Sequence, residues 1–301
     1  MIDFCVVEVK GVLAVLPVWI EAVESAVLKS TGAPDREELA GELLRQWGSS
    51  EVWRLSYGLR SVIAKRGSDA QAGEGTAYER FVRPLRLPAP ELIDLARTDD
   101  AVLLVLADVG RVTLELEPSA EGFLASVDLL AQIRSAQVAG ESDFGPERVL
   151  ELADRIGTPA AGLRDAIETR LRPALADLHR DVPAAVVHGD FVPKNLVTDG
   201  TRWTAVDWPL AHLAPQLSDL YTLLRDAVAL GHDREPLINR YCEAAAADPE
   251  LVHHQTLLGG CTFVLRALSW VVEEGVHTVP SSTDWIAPLA TELEDLLGNL
   301  R

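Results

Sequence analysis

The 301-residue sequence has few lysines and cysteines, a single methionine and no long apolar run. The three cysteines, Cys5, Cys242 and Cys261, are scattered and odd in number, which argues against a disulfide framework or a metal cluster and favours the reducing cytoplasm. No run of about 20 apolar residues occurs, so we expect no membrane-spanning helix. The apolar stretch 12–20 is short, contains Pro17 and follows acidic residues, so it is a poor secretory signal.

Positive charge is also scarce, and the formal net charge is −19. This balance argues against a nucleic-acid partner, because a protein that binds a phosphate backbone needs a basic face to displace counterions. An acidic cleft would attract a cationic ligand, but an acidic surface that keeps the protein soluble accounts for the same charge. We expect a small-molecule ligand, no nucleic-acid or membrane partner, and a monomer or homodimer.

Only four of the 27 basic residues are lysine, and the remaining 23 are arginine. A chain that uses arginine nearly everywhere should keep lysine where a compact ammonium group is needed instead of a planar fork. Two of the four lysines, Lys65 and Lys194, lie in the motifs described below.

The pattern of apolar residues changes character near Asp108. Before this point the sequence predicts a hairpin in 4–16, helices over 19–28, 37–44 and 78–87, and strands over 52–57, 60–66 and 102–106. After it, the sequence predicts helices over 120–137, 146–156, 163–179 and from 217 onward, with short strands only within 184–207. We therefore expect an α+β chain with an N-terminal lobe of sheet and helix, 1–106, and a larger, mostly helical lobe, 107–301.

The most informative segment is His188-Gly189-Asp190-Phe191-Val192-Pro193-Lys194-Asn195, followed twelve residues later by Asp207-Trp208. Phosphoryl transfer requires a placed acceptor oxygen and neutralised phosphate charge. The carboxylate of Asp190, on a loop, can accept the hydrogen bond of a substrate hydroxyl. Asn195 and Asp207 offer the oxygen ligands that Mg²⁺ prefers. A hairpin turning at Asp199-Gly200 would bring both to one edge.

This spacing resembles the catalytic loop and metal-binding segment of the protein-kinase-like superfamily, and its His-Gly-Asp and Asp-Trp forms resemble the aminoglycoside phosphotransferase and choline kinase branch. The resemblance implies a two-lobed kinase-like fold, with an antiparallel sheet and helix in the first lobe and catalytic and substrate-binding residues in the second. It also implies ATP or GTP, with Mg²⁺, as the phosphoryl donor. By the same resemblance Asp190 is the catalytic base, Asn195 and Asp207 are metal ligands, and His188 and Asp219 hold the catalytic loop.

Lys65 ends the predicted strand 60–66, where the superfamily has its phosphate-binding lysine. A carboxylate on a helix should hold this lysine. Glu79 is preferred because a helix with apolar spacing follows it, and Glu74 is the alternative. Lys194, just before the proposed metal ligand Asn195, either contacts the transferred phosphate or lies in solvent.

Two further features concern the nucleotide base and the lid over the phosphates. The backbone of a hinge after the strand 102–106 should meet the base, at Leu106, Ala107 and Val109. The sequence departs from the family here, because Ala107 replaces an acidic residue that is common at the start of the hinge. Only Gly48-Ser49-Ser50 is available in place of a glycine-rich lid.

The acceptor site is expected in the second lobe, where 13 Asp or Glu residues follow Pro209 against five Arg and no Lys. The candidate acceptor residues, which pair carboxylates with aromatic surface, are Trp270, Glu273, Glu274, Asp284 and Trp285. They suit an amino sugar through charge-assisted hydrogen bonds and stacking, although a neutral hydroxylated ligand or a solvated acidic face fits them too. We expect an O-phosphotransferase for an antibiotic such as an aminoglycoside. The alternatives are a metabolic alcohol, sugar or nucleoside kinase and a catalytically silent nucleotide-binding regulator.

Overall fold

The computed structural model describes residues 16–47, 49–157, 162–279 and 281–300. The predicted hairpin 4–16, except for its last residue, therefore lies outside the described residues. Gly48 of the small-residue turn also lies outside them.

In the described part of the chain, ten strands form three antiparallel sheets. Their bounds are β1 Ala40–Trp47, β2 Ser50–Tyr57, β3 Arg60–Gly67, β4 Leu92–Arg97, β5 Val102–Ala107, β6 Val112–Thr113, β7 Ala185–Val187, β8 Leu196–Thr198, β9 Trp203–Ala205 and β10 His212–Ala214. The largest sheet has the order β1-β2-β3-β5-β4, and the smaller ones are β6-β8-β9 and β10-β7.

Among the described residues, three α-helices precede β6 and nine follow it. Their bounds are α1 Glu24–Thr31, α2 Gly73–Ala77, α3 Arg83–Leu85, α4 Ala120–Ser135, α5 Arg148–Ile156, α6 Arg164–Ala166, α7 Arg172–Asp181, α8 Ser218–Ala229, α9 Arg234–Ala245, α10 Pro249–Trp270, α11 Val276–Thr278 and α12 Ile286–Gly298. A π-helical turn, Tyr78–Val82, joins α2 to α3.

The large sheet buries one face against α1 and presents the other to the candidate site. Val62 and Ala64 of β3 pack into an apolar core with Val23 and Val27. Because side chains alternate along a strand, Lys65 lies on the opposite face. The sequence thus directs a charged side chain away from the core without interrupting the strand.

Three local predictions for the first lobe require correction. The predicted helix 37–44 is wrong, because the segment Ala40–Trp47 is a strand that pairs with β2 along its length. Its helix-forming residues are overridden by this pairing, since strand formation depends strongly on tertiary context. Strand β4 was not predicted from the sequence. The predicted helix 78–87 begins five residues after the observed helical segment, which starts with α2 at Gly73.

The chain forms two compact units. The sheet unit contains the described residues up to Leu116 together with Lys194–Ala211, and the helical unit contains Glu117–Pro193 and the chain from His212 onward. This division differs from the predicted boundary after residue 106 because β6 pairs with β8, which joins 194–211 to the sheet unit.

The central element of the helical unit is α10. Its residues Leu258, Val264 and Leu268 are buried in an apolar core with side chains from α5, α7 and α12. By length and composition the helical segment Pro249–Thr278 could cross a bilayer, but 67% of its apolar window is buried by the surrounding protein. Such burial is typical of the core helix of a globular unit.

Candidate active site

Lys65 is a buried cation of the sheet unit, with 5% of its surface exposed. Its Nζ lies 2.5 Å from Oε2 of Glu74 and also donates a hydrogen bond to Oδ1 of Asp207. Burial acts to lower the pKa of Lys65, but the carboxylates of Asp207 and Glu74 outweigh it and raise this pKa above its ordinary value. The side chain therefore stays an ammonium ion between two carboxylates.

The helix carboxylate that meets Lys65 is Glu74, so the preference for Glu79 is corrected. Glu79 is exposed and binds Nη2 of Arg97 at 2.7 Å, whereas Glu74 has no exposed surface. The difference arises because α2 begins at Gly73, ahead of the predicted start. Burial raises the pKa of Glu74 against the opposing effect of Lys65.

The glycines on either side of Glu74 were the signal that could have identified it. A Cβ on Gly73 would lie 2.7 Å from the carbonyl oxygen of Pro209, and one on Gly75 would lie 2.8 Å from Cγ1 of Val102. Both distances are shorter than Cβ contacts in folded proteins, so this turn packs against its neighbours only if both positions are glycine. Gly-Glu-Gly thus marks a close approach that buries the intervening carboxylate.

Asp207 is an ionised carboxylate in a strained backbone conformation. Its φ is 70°, a region that residues other than glycine seldom adopt and that occurs at functional sites. Burial would raise the pKa of Asp207, but the charges of Lys65 and Arg45 overcome this effect and hold it below its ordinary value. Nη1 of Arg45 lies 3.3 Å from Oδ2 of Asp207.

Asn195 and Asp207 flank one end of a hairpin, as the sequence predicts. β8 and β9 pair from Leu196 opposite Ala205, and the N–H of Val206 donates to the carbonyl oxygen of Asn195 at 2.9 Å. The turn is closed by Asp199, whose Oδ1 accepts a hydrogen bond from the N–H of Thr201 at 2.8 Å.

The donor set at this hairpin end fits Mg²⁺. An amide oxygen and an ionised carboxylate are hard ligands, and Mg²⁺ completes its octahedron with water and phosphate oxygens more often than with further side chains. In the described part of the chain no three His, Cys, Asp or Glu side chains are arranged to hold a metal ion. Asn195 and Asp207 are the two residues at this hairpin end that could hold Mg²⁺.

The first part of the predicted catalytic loop, His188 to Pro193, belongs to the helical unit and follows β7 directly. Asp219, at the start of α8, accepts hydrogen bonds from the N–H groups of His188 at 2.6 Å and Gly189 at 2.9 Å. Burial raises the pKa of Asp219 despite these two bonds. The N–H of Asp190 donates to Nδ1 of His188 at 3.3 Å. Asp219 and His188 thus fix the turn that presents Asp190.

A narrow cavity borders this loop, and its centre has room for roughly one water-sized group. It is lined by Phe144, Gly189, His212, Gln216, Ser218, Asp219, Thr222, Thr262, Phe263 and Arg266. Burial lowers the pKa of Arg266, while the carboxylates of Asp219 and Asp190 act in the opposite direction. Among the described residues, no hydrogen bond or ion pair holds its guanidinium group. Arg266 was not among the predicted site residues, although a single charge within the apolar run of α10 was a signal.

The predicted acceptor residues do not line this cavity. Glu273 pairs with Arg155 at 3.7 Å and accepts a hydrogen bond from Ser269 at 3.1 Å. Glu274 and Asp284 are exposed, and Trp270 and Trp285 pack against the apolar core of the helical unit.

The strand that precedes the predicted hinge ends where expected. β5 ends at Ala107, after Leu106, and Val109 lies in the following loop. The carboxylate of Asp108 accepts hydrogen bonds from Nε of Arg54 at 2.6 Å and from the hydroxyl of Ser61 at 2.7 Å. These bonds lower the pKa of Asp108 although burial opposes them. The two hydrogen bonds fix the segment after β5 against β2 and β3.

The protein shares its fold with solved small-molecule kinases. A thermostable mutant of aminoglycoside phosphotransferase APH(4)-Ia, in a ternary complex with ADP and hygromycin B, matches with a TM-score of 0.61 and 19% identity over 92% of this chain and 98% of that chain. A putative fructosamine-3-kinase from Haemophilus somnus 129PT matches with a TM-score of 0.61 and 12% identity over 91% and 96%. An aminoglycoside phosphotransferase from Alicyclobacillus acidocaldarius matches with a TM-score of 0.55 and 17% identity over 97% of both chains. These similarities confirm the predicted α+β, protein-kinase-like fold.

The family follows from the sequence match. Residues 41–254 match the model of APH, the phosphotransferase enzyme family. The chain belongs to this family, and it is a small-molecule O-phosphotransferase, as the resemblance implied. No curated protein sequence matches it significantly.

Proposed function

We propose that the protein transfers the γ-phosphoryl group of ATP to a hydroxyl group of a small molecule, an antibiotic such as an aminoglycoside or another amino- or hydroxyl-rich compound. The observation that carries the proposal is the ammonium of Lys65, held between buried Glu74 and ionised Asp207 at the hairpin end that also carries Asn195. A fixed cation beside two magnesium-type oxygen ligands suits the phosphates of a nucleotide. The APH(4)-Ia neighbour, which was crystallised with ADP, supports the choice of nucleotide.

Each residue has a distinct part in this reaction. Mg²⁺, when bound by Asn195 and Asp207, would neutralise phosphate charge. Asp190 accepts the proton of the acceptor hydroxyl as that oxygen bonds to the γ-phosphorus and the bond to the bridging oxygen breaks, which releases ADP. Asp219 keeps the loop in place through its hydrogen bonds to His188 and Gly189.

The antibiotic acceptor is supported by hygromycin B in the APH(4)-Ia neighbour. A second candidate, a metabolic sugar or alcohol kinase, is favoured by Arg266. A guanidinium group in the cavity beside the catalytic loop repels an ammonium substituent and donates hydrogen bonds to oxygen atoms.

The test is a screen for ADP release over aminoglycosides, other hydroxylated antibiotics and sugars, with Mg²⁺ and ATP. We expect a product whose mass has increased by one phosphate group, and no product from a folded Asp190→Ala variant. Unchanged transfer by that variant would remove Asp190 from the role of base. Nucleotide binding without product over the whole panel would favour the silent regulator. Resistance conferred on a susceptible cell would separate an antibiotic kinase from a metabolic one.

A further inference from the structure

Arg45 lies on the same sheet face as Lys65, two strands away. Arg45 of β1 is opposite Val52 of β2, and Val52 is opposite Lys65 of β3. Directly opposite residues of an antiparallel sheet share a face, and neighbouring strands are about 4.8 Å apart. The guanidinium group of Arg45 and the ammonium group of Lys65 accordingly reach the same carboxylate, that of Asp207.

A β-bulge is what places Arg45 on this face. The register of β1 shifts between Leu43 and Arg45, so that Leu43 is opposite Trp53 and Arg45 is opposite Val52. In a regular strand Leu43 and Arg45 would share the face that packs in the apolar core with α1. The extra residue, Leu44, sends Arg45 to the other face, since a slip by one residue reverses side-chain direction.

The charges around Asp207 leave an excess of positive charge. Lys65, Arg45 and Lys194 all stabilise the carboxylate of Asp207, and Glu74 is the second carboxylate in contact with Lys65. Three cations against two carboxylates form a site with affinity for anions. Arg45 is also partly exposed, with 28% of its side chain accessible, so it is within reach of a ligand.

We propose that Arg45 binds the terminal phosphate oxygens of the nucleotide, and so supplies from β1 the contacts that a glycine-rich lid would otherwise make. The inference rests on the proposed function. In the ligand-free protein Arg45 is held by Asp207, and it exchanges this carboxylate for a phosphate when Asp207 takes up its metal-binding role. A guanidinium group suits this exchange because its planar fork matches carboxylate and phosphate oxygens equally well.

The experiment is calorimetric titration of the full-length protein with AMP, ADP and ATP, each with Mg²⁺ and without acceptor. We expect Arg45→Gln to weaken ATP binding by about 10- to 100-fold, the loss typical of one hydrogen-bonded charge. AMP binding should stay within about twofold, because AMP lacks the terminal phosphates. Arg45→Lys should recover part of the loss.

The matched control is Arg66→Gln. Arg66 follows Lys65 in β3 but lies on the opposite face, where it pairs with Asp100 at 2.6 Å. This variant should bind all three nucleotides like the wild type. Equal weakening of AMP and ATP by Arg45→Gln, or no weakening of ATP, would overturn the role of Arg45 and leave the kinase assignment intact. Failure of the wild type to bind ATP would overturn both.

Discussion

Lys65 forms its helix ion pair with Glu74, at 2.5 Å, five residues before the carboxylate of Glu79 that faces solvent. The two glutamates belong to one continuous helical segment and differ in burial, because only Glu74 lies where the helix packs closely against β5 and Pro209. A buried partner holds Lys65 in one place, whereas a solvated carboxylate would leave the ammonium free to move.

The first prediction compares these two glutamates. Glu74→Gln should lower the free energy of unfolding by about 3 kcal/mol, because it leaves a buried cation with one carboxylate fewer. It should also reduce phosphoryl transfer about 100-fold, since a displaced ammonium stabilises the transferred phosphate less well. Urea unfolding and the rate of ADP release measure the two effects. Glu79→Gln, the control, should match the wild type in both, and an equal effect of the two substitutions would contradict the assignment of Glu74.

The second prediction concerns the contact between α10 and the start of α8, the helix that carries Asp219. A Cβ on Gly259 would lie 2.5 Å from the backbone N of Ser218. Gly259→Ala should therefore displace the start of α8, lower the free energy of unfolding by about 2 kcal/mol and slow phosphoryl transfer through a misplaced catalytic loop. Gly298→Ala is the control, because a Cβ there has no neighbour within 4 Å. A Gly259→Ala variant with wild-type stability and turnover would show that this close approach is dispensable.

The third prediction concerns Arg266 and the acceptor. Arg266→Gln should raise KM for the acceptor by about 10- to 50-fold, the loss of a charge-assisted hydrogen bond. The value of kcat should change little, because losing a contact that is equally strong before and during transfer raises KM alone. Arg266→Lys should partly recover KM. Arg240→Gln, which removes a cation that pairs with Asp128 at 2.7 Å on the surface, is the control. An unchanged acceptor KM in Arg266→Gln would exclude contact with the acceptor.

The fourth prediction is a pH dependence from Asp207. The charges of Lys65 and Arg45 keep the pKa of this carboxyl below its ordinary value of 3.8 in the folded protein. Its contribution to stability is therefore complete above that value and is lost as the pH falls towards the lowered pKa. The wild type should exceed Asp207→Asn by about 2 kcal/mol near pH 7, and the difference should shrink below pH 3.8. Urea unfolding of both proteins over this range measures it. A difference that is constant with pH would mean that the carboxylate charge does not stabilise the fold.

The sequence was sufficient where the relevant residues are close together in the chain. A single hairpin relates Asn195 to Asp207, so local spacing predicted that these two residues flank one hairpin end. The strand that carries Lys65 was likewise predicted, over 60–66, and it is observed over Arg60–Gly67, because a strand pattern is a local property of the sequence.

Only the tertiary structure decided which residues from remote parts of the sequence lie beside the predicted site residues. Glu74 was chosen over Glu79 by the packing of a helix start against β5, and Arg45 was brought to Asp207 by a bulge whose register depends on pairing with β2. Arg266 reached the catalytic loop through the packing of α10 against α8. Local signals such as the glycines beside Glu74 do not by themselves fix these relationships, because strand register and helix contacts are set by the burial of surfaces that are remote from one another in the sequence.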